Sequence, residues 1–266
     1  MSDDRDAHAA HSEMEVPATP EDVWRAITTV SGSAAWFFPT EAEPREGGAV
    51  RLRRGPFAPD SSATVTAWEP PHRFAYEERA VAPAPSIATE FLVEAREQGG
   101  CVVRVVSSLY ADGAGWDDVA EETGTGWRMA LLLLRSYATH FPGRTAARLD
   151  LMAPVGAPPG ARAEVGAAVR ESLGLGGATA GASFRTPEGA PPVSGTVEHL
   201  GPYFILLRAR RPCPALFAIS SFPMDAVTLS VNVTGRLFGP GADAVAAREL
   251  PRWRDWLARL TAANTT

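Results

Sequence analysis

The sequence predicts an α+β fold in which a curved antiparallel sheet wraps around a long C-terminal helix, and it predicts that this unit occurs twice. Three observations carry that expectation. Between residues 49 and 110, successive segments alternate apolar and polar residues and are parted by Gly or Pro. They lead into GTGWRMALLLLRSYATHFPG, residues 124–143, whose wide apolar face suits a long helix packed across a sheet. A fainter series in the same order, with a helix, strands and a closing helix, returns about 120 residues later.

Residues 1–14 are acidic and polar and are expected to form a disordered tail, with a first domain over 15–145 and a second, degenerate α+β domain over 146–266. EMEVPATPEDVWRAITT reads as a short strand and then a helix. Thr19 suits the N-cap, Pro20 the first helical position, and Glu21 and Asp22 the positive end of the helix dipole. Val23, Trp24 and Ile27 form the apolar stripe. After a loop with SAAWFFP, a Gly pair in REGGAVRLRRG opens an alternating strand. SSATVTAWEP, HRFAYEERA, SIATEFLVEAREQ and CVVRVVSSLY extend it into a meander of about six strands, with EQGG before Cys101 as the clearest hairpin turn. On the closing helix Trp127, Leu131, Leu134, Ala138 and Phe141 share a stripe, flanked by Met129, Leu132, Leu133 and Tyr137, and Pro142 with Gly143 ends it.

In the second half ARAEVGAAVRESLGL reads as a helix and GGATAGASFRTPEGAPP as a loop. TVEHLGPYFILLRARR, ALFAISSFP and AVTLSVNVTGRLFG read as strands. LPRWRDWLARLTA is the final helix, with Pro251 near its first turn and Trp253, Trp256, Leu257 and Leu260 buried.

A hydrophobic fraction of 45% and a charged fraction of 21% are those of an ordinary globular protein, and either half is long enough to bury a core. All 25 cations are Arg, which together with abundant Ala, Gly and Pro points to a GC-rich bacterial genome. A net charge of -6 offers no general field for nucleic acid or anionic lipid, so neither partner is expected, and the sequence names no protein partner. Residues 1–143 carry 22 acids against 12 Arg and residues 144–266 carry 9 against 13, a difference that would let the halves attract or would simply be solvated. Cys101 and Cys213 form no zinc spacing and read as buried small hydrophobes. With no signal-peptide core and no run near the ~18 apolar residues of a membrane span, a cytoplasmic location is expected.

The segments EVPATPEDVWRAITT, AWFFPTEAEPREGGAV, ATVTAWEPPHRFAYEE, ATEFLVEAREQGGCVVRVV and GTGWRMALLLLRSYATHF, taken in order over about 130 residues, resemble the activator-of-Hsp90-ATPase-like branch of the SRPBCC (START/Bet-v-like) superfamily. The resemblance implies a helix-grip fold with a cavity between the long helix and the sheet. It implies pocket-lining positions at Trp36, Phe37 and Phe38 in the loop, Trp68, Phe74, Tyr76 and Phe91 on strands, and Trp127, Leu131, Leu134 and Tyr137 on the helix. The second half lacks the WFFP and Gly-pair signals, which puts a pocket there in doubt.

These aromatics would equally serve as plain core, and Tyr76 and Tyr137 would then need partners for their hydroxyls. No cluster of His, Cys, Asp or Glu has metal-ligand spacing, and no cofactor is expected. Neither a GxSxG elbow nor a Cys/His signature is present, and GLGGATAG at 174–181 is not a phosphate-binding loop. Asp117, Asp118, Glu121 and Glu122 would supply acid–base carboxylates at a pocket mouth or form a solvated helix start. The leading expectation is binding of a small apolar or aromatic molecule in the helix–sheet cavity with no catalytic residue. A cyclase/aromatase-type or resistance enzyme using pocket Tyr or acidic residues is the second, and a co-chaperone-like protein-binding module the third.

Overall fold

The computed structural model describes residues 7–79, 86–110 and 116–263. The chain divides into two compact units, Met1–Arg54 with Pro59–Gly143, and Gly55–Ala58 with Arg144–Thr266. The first contains β1 (Ala7–Val16), α1 (Pro20–Thr28), α2 (Val30–Ala34), β2 (Thr40–Ala42), β3 (Ala49–Leu52), β4 (Ser61–Glu69), β5 (Arg73–Glu78), β6 (Ser86–Ala95), β7 (Cys101–Tyr110) and α3 (Trp116–His140). Its strands form one seven-stranded antiparallel sheet in the order β1-β7-β6-β5-β4-β3-β2, a meander whose first strand closes against its last.

The expected tail is corrected here: residues 7–14 belong to β1, which pairs with β7 from Ala7↔Tyr110 to Val16↔Cys101. An edge strand needs an apolar pattern on one face only, so acids on alternate residues are compatible with it. Ala10 and Val16 are buried, whereas Glu13 pairs with Arg104 at 3.3 Å and Glu15 with Arg96 on the solvent side. His8 and His11 therefore lie in a strand as well.

Thr19 caps α1 by accepting from the Asp22 amide, with Pro20 as its first residue. The closing helix α3 begins at Trp116, so Asp118, Glu121 and Glu122 are part of it, ahead of the apolar stretch. It packs along β1 and β7 and buries Trp127, Leu131, Leu133, Leu134, Tyr137 and Phe141. Contact with the edge strand is close: Ser12 Oγ donates to the Gly124 carbonyl at 3.2 Å.

The second unit repeats the plan with β8 (Ala146–Val155), a 3₁₀ turn at Pro159–Ala161, α4 (Arg162–Ser172), β9 (Ser183–Arg185), β10 (Ser194–Leu200), β11 (Phe204–Arg211), β12 (Ala215–Pro223), β13 (Leu229–Phe238) and α5 (Ala242–Ala263). The order β8-β13-β12-β11-β10-β9 again closes the first strand on the last, and α5 packs along β8 and β13 as α3 does along β1 and β7. Several sequence expectations change here. β8 has a broken alternation and carries no strand signal strong enough to read. The 196–211 segment is a hairpin turning at Gly201–Tyr203, and the expected loop contains β9. α5 starts at Ala242, leaving Pro251 inside the helix rather than in its first turn. Cys101 is buried, but Cys213 is only half-buried.

Two glycines test the packing in opposite directions. A methyl at Gly124 would meet only the Ala10 methyl, at 3.8 Å, so Gly124→Ala is expected to stabilise the chain by about 1 kcal/mol through helix propensity. A methyl at Gly235 would lie 3.0 Å from Leu149 Cβ, the Leu149 carbonyl and Phe217 Cε1, so Gly235→Ala is expected to cost about 1–3 kcal/mol. Urea unfolding of both variants checks the two signs.

Candidate functional site

The inner face of the first sheet is built from alternate strand residues. Registers Trp68↔Phe74, Phe74↔Phe91, Phe91↔Val105 and Val105↔Ser12 place these side chains in one row across β4, β5, β6, β7 and β1. The neighbouring row runs Val65, Tyr76, Thr89, Ser107, Ala10.

The first row is the middle of a continuous series of ring contacts. Trp24 of α1 meets Trp68 edge-on at 5.2 Å, Trp68 meets Phe74 at 5.3 Å, and Phe74 stacks on Phe91 at 6.2 Å. Phe91 meets Trp127 of α3 edge-on at 5.4 Å, and Trp127 stacks on Phe37 at 5.0 Å, which continues to Trp36 at 5.3 Å and Phe38 at 4.5 Å. Such pairs contribute about 0.5–1.5 kcal/mol each beyond the area they bury. The Trp36 indole N–H donates to the Ala26 carbonyl at 2.9 Å, which fastens the aromatic loop to α1.

Of the residues singled out from the sequence, Trp36, Trp68, Phe74, Tyr76, Phe91, Trp127 and Phe38 are thus brought into one aromatic set. Leu131 and Leu134 are fully buried on the same helix. Phe74 and Phe91 expose 1% and 2% of their surface, so no water-sized gap touches them to any extent, whereas Trp24, Phe37, Phe38 and Trp68 are half-buried. Tyr137 is buried too, but its hydroxyl bonds the backbone of Gly143, just past the end of α3, near Asp22 and Arg25.

The second row is polar and was not singled out, apart from Tyr76. The Tyr76 hydroxyl bonds Thr89, and Thr89 Oγ1 lies 3.5 Å from Ser107 Oγ. Tyr76, Thr89 and Ser107 are 2%, 3% and 1% exposed. Beside Tyr76, Arg54 grips Glu78 through both carboxylate oxygens, at 2.7 and 2.6 Å. The signal that would have found this row is Ser107 itself, a hydroxyl at an inward position of an otherwise apolar series, Cys101, Val103, Val105 and Leu109.

A separate hollow of about 670 Å³ lies between the β6–β7 turn and the C-terminal part of α3, with Glu15, Arg96, Glu97 and Arg135 around it. None of the pocket-lining positions that the family resemblance implies lines it, although Cys101 does. In the second unit a hollow of about 520 Å³ opens between α4 and α5, beside Ala168, Trp256 and Leu260. Among the described residues no group of three or more His, Cys, Asp or Glu could hold a metal, and no helix is long and apolar enough to cross a membrane.

Burial pushes the Tyr76 phenol well up, and the nearby Glu78 charge adds to it. Burial raises Tyr137 and also Cys101, the latter from 9.0 to about 11. In each case the folded chain favours the neutral form, so this stability is complete below the unfolded pKa and is lost as pH rises through the folded one. Unfolding free energy is expected to fall from about pH 9 to 11 through Cys101 and further above pH 10 through the tyrosines. Denaturant titrations across this range should show Cys101→Ala removing the first part of the loss and Tyr76→Phe reducing the second.

Comparison with known proteins adds the following. The family described as "Activator of Hsp90 ATPase homolog 1-like protein" matches residues 17–139. No curated protein compared with the chain matches it. Among solved structures, the chain is similar to the di-domain ARO/CYC BexL from the BE-7585A biosynthetic pathway, at 15% identity over 97% of this chain and 99% of that one, with a TM-score of 0.46. It is similar to DynU16, from the dynemicin biosynthetic locus, at 18% identity over 97% and 99%, with a TM-score of 0.43. It is also similar to Aha1 from Colwellia psychrerythraea, at 19% identity over 51% of this chain and 98% of that one, with a TM-score of 0.42. The family match covers residues 17–139 of the first unit, whose helix-grip architecture is the one expected of the SRPBCC superfamily, and the second unit repeats that fold in reduced form.

Proposed function

We propose that the first unit binds a small apolar or aromatic molecule between α3 and the inner face of its sheet. The observation that carries this reading is the unbroken series of ring contacts from Trp24 through Trp68, Phe74, Phe91 and Trp127 to Phe37. A core needs only to be filled, and aliphatic side chains fill the inner face of the second sheet for the most part. A series of rings offers flat faces on which another ring stacks, at about 25 cal/mol per Å² of apolar surface removed from water. The ligand enters at the half-buried members, Trp68 and Trp24 on one side and Phe37 and Phe38 on the other, and displaces ring–ring contacts for ring–ligand contacts of the same kind.

The groups around this set favour binding over catalysis. Tyr76 is held protonated, which makes it a hydrogen-bond donor and a poor base at neutral pH, and Glu78 is engaged by Arg54. A cyclase-like or hydrolytic role would require a titratable group with its pKa moved toward neutrality, and the Tyr76 phenol is moved the other way.

Native mass spectrometry of the freshly purified full chain is expected to show a retained small molecule, and naphthalene is expected to quench or shift the tryptophan emission on titration. Trp68→Ala should weaken naphthalene at least tenfold at modest cost in stability, because Trp68 is half-buried. Trp127→Ala should lose both affinity and about 3–5 kcal/mol of stability. Saturable binding that survives Trp68→Ala and Trp127→Ala unchanged would place the ligand elsewhere.

A further inference from the structure

The two units supply an internal comparison. Their sheets close in the same way, with β1, β5, β6, β7 and α3 answering to β8, β11, β12, β13 and α5. The register of the correspondence is set by one aromatic pair in each: Phe91 of β6 against Trp127 of α3 at 5.4 Å, and Phe217 of β12 against Trp253 of α5 at 4.9 Å. The row Phe74, Phe91, Val105, Ser12 then answers to Leu207, Phe217, Gly235, Leu149. One step along the strands, Tyr76, Thr89, Ser107, Ala10 answers to Ala209, Ala215, Leu237, Ala147.

Both versions of this second row are buried, with Ala209, Ala215 and Leu237 exposing 2%, 0% and 0%. The fold is therefore built equally well with the row wholly apolar. Burying a hydroxyl costs free energy unless its hydrogen bonds are fully replaced, and exchanging hydrogen-bonded partners for apolar groups of like shape is close to neutral. Folding does not account for three hydroxyls here. Their internal bonding is also incomplete: Tyr76 bonds Thr89 and Thr89 reaches Ser107 at the 3.5 Å limit, so two contacts leave one of three hydroxyl protons without an acceptor in the row.

We propose that Tyr76, Thr89 and Ser107 form the polar end of the ligand site and select an aromatic ligand that carries a hydrogen-bonding oxygen, such as a phenol, quinone or aryl ketone. This rests on the binding role proposed for the first unit and adds its specificity. The ring takes the place of ring–ring contacts among Trp68, Phe74, Phe91 and Trp127, which part to admit it, and the oxygen points one strand step away, into the hydroxyl row. An aromatic hydrocarbon of the same shape leaves that row as it is and forgoes the bond.

The test compares 2-naphthol with naphthalene by equilibrium dialysis against the full chain and a Tyr76→Phe/Thr89→Val/Ser107→Ala variant whose fold is verified by circular dichroism. The oxygen makes naphthol better solvated in water, so without a partner for it naphthol binds no tighter than naphthalene. The unsubstituted chain is expected to prefer 2-naphthol about tenfold, and the triple variant is expected to bring the ratio to one or below. If the triple variant does not fold, Thr89→Val alone cuts the row at its centre and should lower the preference about threefold or more. A preference that persists in these variants, or naphthalene binding with no preference in the unsubstituted chain, overturns the role of the row and leaves the aromatic site standing. Binding of neither probe overturns the site itself and the specificity with it.

Discussion

Each unit depends on one contact, the seating of a sheet phenylalanine against a helix tryptophan. A curved antiparallel sheet has a single concave apolar face, and a long helix with a wide apolar stripe has nothing else to cover it. Phe91 with Trp127, and Phe217 with Trp253, lock the two together near the middle of the sheet. The first strand then folds back onto the last, and the helix runs along that strand pair. The pair differs in geometry because its neighbour differs. Gly235 leaves room for the Phe217 ring to lie over the strand and stack flat on Trp253, whereas Val105 fills the same place and Phe91 meets Trp127 edge-on.

Much of this architecture was legible in the sequence, because it rests on signals that survive without tertiary context. Alternation reports a half-buried strand, and a wide apolar face ended by Pro-Gly reports a closing helix. What escaped was wherever a neighbour, rather than local pattern, decides. β1, AHAAHSEMEV, has no regular alternation of its own and becomes a strand because β7 offers it ten partners in register. β8 is similar, with an incomplete alternation completed by β13. Pro251 has a local signature of a helix start, yet the packing of Ala242 and Ala246 into the second core carries the helix back past it.

The site divides along the same line. Trp68, Phe74 and Phe91 were named in advance through the family resemblance, which implied pocket-lining positions on these strands, and the strand registers show that they share one row. Trp24 was assigned to its helix's apolar stripe, and only the structure shows it at the end of the ring series, against Trp68. Tyr137 was placed among the pocket-lining positions, and at the turn past α3 its hydroxyl has a backbone partner at Gly143. Thr89 is an ordinary strand residue in isolation, and Ser107 stands out in its strand only as one hydroxyl in an apolar inward series. Setting them in register beside Ala215 and Leu237 of the other unit adds what a single strand does not show, that the same places can be filled by apolar side chains.

That comparison also bears on what kind of chemistry the first unit supports. The first unit builds with hydroxyls a buried row that the second unit builds with apolar side chains. Here the differences are hydroxyls, which carry no charge at neutral pH and, at Tyr76, are held further from ionisation by burial and by Glu78. Glu78 in turn has both carboxylate oxygens on Arg54. A row of neutral donors and acceptors next to a charge already paired can orient an oxygen and discriminate its presence, and it offers no group poised to take a proton. The hydroxyl row is thus one physical difference between the two units, while the aromatic contact that holds helix to sheet is common to both.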